Sequence, residues 1–157
     1  MFLRTEVIVE KMLVGKSLTM SFVNNKTAAL WREFMPRRAE VANAVSNDLY
    51  SAEVYMPGFF ESFDPAREFE KWALAEVSGF NSVPHGLKTL VFPAGLYAVF
   101  LHKGPASEGA RTYRYIFMDW LPASGYVLDN RPHFAIMGAK YKSDSEESEE
   151  EIWIPVL

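Results

Sequence analysis

The chain repeats itself, and the repeat constrains its fold more than any single motif does. Trp31-Arg-Glu-Phe-Met-Pro36 resembles Phe117-Met-Asp-Trp-Leu-Pro122: an aromatic, a carboxylate two residues on, an aromatic, an aliphatic and a proline. Upstream of each lies a strand-like segment containing Gly15 or Gly95, and downstream of each come two more strand-like segments. The order is strand-helix-strand-strand, twice. A period of about 80 residues occurring only twice predicts two halves packed about a pseudo-twofold axis, not a solenoid. The seam falls near Ser82–Gly86. This predicts one domain over residues 1–157, with half one at about 1–81 and half two at about 82–157.

Two stretches have the spacing of amphipathic helices. Thr27, Leu30, Trp31 and Phe34 follow the plausible N-cap Asn24-Asn25 and precede Pro36. Tyr113, Ile116, Phe117, Trp120 and Leu121 recur at i, i+3, i+4, i+7 and i+8 before Pro122. Thr5–Leu13, Leu49–Tyr55, Leu87–Leu101, Pro132–Met137 and Ile152–Leu157 are rich in β-branched and aromatic residues between turn signals, and read as strands. Phe69–Val77 suits either period. The repeat makes it a strand, since it stands where Ile152–Leu157 stands in the second half. The predicted fold is therefore α+β: one antiparallel sheet with two helices on one face and a groove between them.

Composition narrows the function. The net charge of −4, with Arg37-Arg38 as the only adjacent basic pair, argues against direct nucleic-acid binding. The absence of cysteine removes thiolate catalysis, disulfides and Cys-ligated zinc, and fits the cytoplasm. No 18-residue apolar run predicts a membrane-spanning helix, and charges interrupt the first residues, unlike a signal peptide. His85, His102 and His133 lie far apart, in or beside turns by pattern, without metal-ligand spacing. No nucleophile elbow, dinucleotide fingerprint or phosphate loop occurs. No cofactor or metal is expected.

Val83-Pro-His-Gly86, Phe92-Pro-Ala-Gly-Leu-Tyr-Ala-Val-Phe-Leu-His-Lys-Gly104, Trp120-Leu-Pro-Ala-Ser-Gly125, Arg131-Pro-His-Phe134 and Glu151-Ile-Trp-Ile-Pro-Val156 have a recognisable order and spacing. So do Phe34-Met-Pro-Arg-Arg38 and Asn47-Asp-Leu-Tyr-Ser51 in the first half. Together they resemble the GyrI-like (gyrase-inhibitor-like) effector-binding domain, the ligand-sensing part of many AraC- and MerR-type multidrug regulators. The resemblance covers nearly the whole chain and leaves no room for a helix-turn-helix segment, so it implies a stand-alone single-domain form. It also implies a duplicated strand-helix-strand-strand fold and binding of amphipathic, often cationic, compounds between the halves.

One departure matters. Many relatives carry a glutamate in the strand after the Arg-Pro motif, where this sequence has Ala135. Aligning Ser51-Ala-Glu-Val-Tyr55 with His133-Phe-Ala-Ile-Met137 makes Glu53 the symmetry mate of Ala135, so Glu53 can supply the missing carboxylate. The candidate ligand-binding residues are Trp31, Phe34, Glu53, Tyr55, Tyr97, Trp120, Phe134 and Trp153, since aromatic faces and one carboxylate suit a lipophilic cation. The alternatives are a protein-interaction module, such as a gyrase modulator, and a small-molecule hydrolase using Tyr55 or Tyr97 with Glu53 or Glu76. A homodimer or a protein partner is compatible with each reading. Two further segments are the acidic run Ser143–Glu151, expected to be a solvated loop, and the aromatic connector Tyr55–Phe63, expected to cap the pocket or pack on the core edge.

Overall fold

The computed structural model describes residues 1–62, 64–142 and 145–157; Phe63 of the connector and Ser143 and Asp144 of the acidic run lie outside the described residues. Eight strands form one antiparallel sheet: β1 (Phe2–Ile8), β2 (Lys11–Met20), β3 (Leu49–Val54), β4 (Phe69–Val77), β5 (Lys88–Phe92), β6 (Gly95–Lys103), β7 (His133–Met137) and β8 (Glu149–Pro155). Their order across the sheet is β1-β6-β8-β7-β3-β4-β2-β5. Each half contributes a compact three-strand block, and the blocks meet where β3 pairs with β7.

The pairing at that seam obeys the twofold inferred from the repeat. Ser51 lies opposite Ala135 and Glu53 opposite His133, so each pair is the symmetry image of the other. Two long apolar runs divide. Thr5–Leu13 is split between β1 and β2, and Leu87–Leu101 between β5 and β6 at Pro93, which cannot donate to a ladder. In each case the first strand crosses to the other half: β1 pairs with β6, and β5 with β2. The halves are thereby interlocked.

Gly15 marks a tight approach between strands. A Cβ there would stand 1.8 Å from the backbone oxygen of Ala73, so only hydrogen fits between β2 and β4.

Both helices pack on one face. Helix α1 (Thr27–Phe34) buries Leu30 and Phe34 against a core that includes Val14, Ala73 and Ala75. Asn25 accepts a hydrogen bond from the Thr27 amide at 2.9 Å, one residue ahead of the formal cap Lys26. A 3₁₀ turn, Met35–Glu40, takes over at Pro36. Helix α2 (109–124) passes through α-helical Gly109–Arg114, π-helical Tyr115–Trp120 and α-helical Leu121–Ser124. Pro122 deprives the ladder of a donor, and the turn before it widens so that the Leu121 amide reaches Ile116. Ile116 packs on Ala98, Phe100, Ala135, Ile152 and Ile154.

The helix-free face has its own core, drawn from both halves: Tyr50, Trp72, Leu74, Phe92, Tyr97, Val99, Phe134 and Trp153. Aromatic rings layer here, with Phe134 stacked on Phe92 at 4.5 Å and on Trp153 at 5.3 Å.

Candidate functional site

At the centre of the helix-bearing face, three ionisable side chains form one row across three strands. Lys71 on β4 lies opposite Glu53 on β3, which lies opposite His133 on β7. Lys71 Nζ donates to Glu53 Oε1 at 2.9 Å, and both side chains are largely withdrawn from water, at 14% and 9% exposure. Glu53 Oε2 is buried without a partner. A buried carboxylate oxygen in that state is an acceptor awaiting a donor.

Aromatic groups close over this row. The connector after β3 brings Phe60 into a stack with Phe117 of α2, centroids 5.1 Å apart and planes 15° apart, and with His133 at 5.7 Å and 23°. Tyr55 meets His133 edge-on at 4.9 Å and touches Phe59 and Phe60. Burial holds the hydroxyls of Tyr55 and Tyr113 protonated, pushing their pKa values well up, and the Glu53 charge adds to the effect on both. Desolvation pushes the His133 imidazole down to about 3, so it is neutral and its ring is one more flat face. Glu150, also helix-facing, is raised by desolvation first; His102, its cross-strand partner, and Lys71 offset this.

The eight candidate residues occupy four places. Glu53 and Tyr55 stand at the central row. Trp31 and Phe34 belong to the core under α1, with Phe34 fully buried. Trp120 packs at the far side of the second half, stacked on Phe2 at 4.9 Å and edge-on to Phe100. Tyr97, Phe134 and Trp153 lie on the opposite face of the sheet. There the Tyr97 hydroxyl donates to the Pro132 carbonyl at 2.8 Å, and burial pushes its pKa up to about 12.

Other members of the central cluster carry little signal in the sequence. Lys71 has none that is local, because its meaning depends on the β3–β4 register. Tyr113 and Phe117 are legible as helix residues only. The histidine pattern also reads differently in three dimensions. His102 and His133 sit within strands and are buried, and His102 is held by Thr112 at 2.7 Å and the Pro105 carbonyl at 3.0 Å. The acidic run ends as strand rather than loop, since Glu149, Glu150 and Glu151 open β8. Among the described residues no group of acidic and histidine side chains is arranged to hold a metal ion. None of their helices is long and apolar enough to cross a membrane. Two surface hollows, each about 370 Å³, lie elsewhere: one around Arg38 and Asp48, the other between the β1–β2 turn and Phe134 and Trp153.

An interlocked, duplicated sheet with one helix packed on each half, and with aromatic rings against His133 beside a buried carboxylate at the seam, has the form of a small-molecule-binding effector fold. The profile described as GyrI-like small molecule binding domain matches residues 3–157, and the chain belongs to that family. It is similar to the transcriptional regulator BrlR of Pseudomonas aeruginosa, with 26% identity over 146 residues covering 92% of this chain and 51% of that protein. The chain thus spans about half the length of this curated relative. Among solved structures, SAV2435 bound to tetraphenylphosphonium superposes with a TM-score of 0.74 at 12% identity, covering 100% of this chain and 94% of that one. The EcmrR C-terminal domain superposes with a TM-score of 0.69 at 22% identity, covering 99% and 98%. These likenesses establish the fold.

Proposed function

We propose that the chain binds amphipathic, aromatic or cationic small molecules between its two helices, above the β3–β7 seam, and acts by sensing or sequestering them. The observation that carries this is the three-ring cluster at the seam: the connector sets Phe60 against both Phe117 and His133, whose own centroids stand 6.2 Å apart, and Glu53 lies opposite His133 on the next strand. A site that already accepts one aromatic ring, on flat faces above a buried acceptor, has the form that an aromatic ligand needs. Glu53 and Tyr55 are direct contacts in this reading, with Tyr113 and Phe117 as the helix wall. Trp31, Phe34 and Trp120 fix the two helices, while Tyr97, Phe134 and Trp153 support the sheet from behind. Two comparisons support it: the family is described by small-molecule binding, and the SAV2435 structure holds tetraphenylphosphonium.

The test is a thermal-shift screen with lipophilic cations, neutral aromatics and bile-acid-like anions, repeated on Phe117→Ala. A ligand at a hundredfold excess over its Kd adds about 2.7 kcal/mol of stability. We expect a saturable shift with at least one class, lost in Phe117→Ala. A flat response across all classes would reject small-molecule binding and favour the protein-interaction reading.

A further inference from the structure

The central carboxylate is not waiting for a cation, because the protein supplies one. Lys71 reaches Glu53 from the neighbouring strand at 2.9 Å, and neither side chain is more than slightly exposed. Glu53 nonetheless keeps a second oxygen that is buried and unpartnered. The symmetry-related position, Ala135, brings no second carboxylate to the seam. Along the row the charges of Lys71 and Glu53 cancel, and His133 is neutral. The remaining helix-facing carboxyl, Glu150, lies across from His102, interacts with both Lys71 and Glu53, and is pushed toward its neutral form first by desolvation.

Building on the binding reading above, we propose that Lys71 is an internal counter-ion that sets ligand specificity. The cleft takes uncharged aromatic molecules bearing one O–H or N–H donor in preference to permanent lipophilic cations. The donor satisfies Glu53 Oε2, and the flat ring takes the place of Phe60 against Phe117 and His133. A quaternary ammonium or phosphonium centre has no hydrogen to donate to that oxygen. It also meets a carboxylate whose field Lys71 already neutralises, so it recovers little of its lost hydration. Specificity then comes from an element that works against one ligand class as well as from contacts that favour another.

A matched pair of probes separates charge from ring shape: 2-naphthylmethanol and (2-naphthylmethyl)trimethylammonium, titrated calorimetrically into the full chain. We expect the alcohol to bind roughly tenfold more tightly, and the order to reverse in Lys71→Met, where the ammonium gains well over about tenfold relative to the alcohol. Lys71→Gln, which keeps a polar donor without the charge, carries the same comparison if the methionine variant does not fold. Tighter binding of the ammonium to the unaltered chain would overturn the inference. So would an unchanged ratio in both variants, and either result leaves the cleft itself standing as a ligand site. If neither probe binds the unaltered chain at millimolar concentration, both the cleft reading and this inference fail.

Discussion

Phe60 and Phe117 stack face to face, 5.1 Å between centroids and 15° between planes, and this contact joins the connector of the first half to the helix of the second. Phe60 also lies against His133, the neighbour of Glu53 across the seam. In the proposed binding reading a ligand displaces the Phe60 ring, so removing that ring has separable effects on stability and on binding.

Replacing Phe60 by alanine tests this displacement. The ring is half-buried and touches Tyr55, Phe59, Phe117 and His133, so its loss should lower unfolding stability by about 1–3 kcal/mol. Affinity for a two-ring aromatic ligand should rise, because the ligand no longer has to displace that ring. Urea unfolding gives the first quantity and calorimetry the second. If affinity falls together with stability, Phe60 is a wall of the site and not its occupant.

His133 gives the fold a defined weakness toward acid. Its folded pKa of about 3, depressed by desolvation, lies below the ordinary histidine value, so the unfolded chain takes up a proton that the folded chain refuses. This contribution to stability is intact above about pH 6.5 and is lost as the pH falls toward 3, at up to about 1.4 kcal/mol per unit. Urea midpoints between roughly pH 7 and 5 should therefore decline more steeply in the unaltered protein than in His133→Phe. Parallel declines would assign the proton uptake to other groups.

Tyr97→Phe probes the opposite face. The substitution removes the 2.8 Å hydrogen bond to the Pro132 carbonyl but keeps the ring beneath Arg131, whose guanidinium carbon lies 4.7 Å from its centroid. The expected cost is about 0.5–1.5 kcal/mol of stability, with ligand affinity unchanged. A change in affinity measured by the same calorimetry would mean that the helix-free face takes part in binding.

Several features are legible in the sequence alone. The repeated aromatic-carboxylate-aromatic-aliphatic-proline segments locate both helices. The repeat resolves Phe69–Val77 as a strand, and the same alignment pairs Glu53 with Ala135, which the seam register matches. Alternation along a strand even separates Phe134 from Ala135, so that if one faces the helices the other cannot. Grouping Phe134, Tyr97 and Trp153 with Glu53 runs against that period, and the sheet divides them.

What the sequence determined by itself was local and periodic: the elements, their duplication and the face shared by residues two apart in a strand. Tertiary structure alone decided the rest. It sent β1 and β5 across to the opposite halves, and it set Lys71 beside Glu53 although 18 residues separate them. It also drew Phe60 over a histidine on the other side of the seam. The physical reason is that strand pairing and inter-element packing are set by the joint burial of many side chains, which no single segment specifies, whereas hydrophobic period and turn chemistry belong to each segment alone.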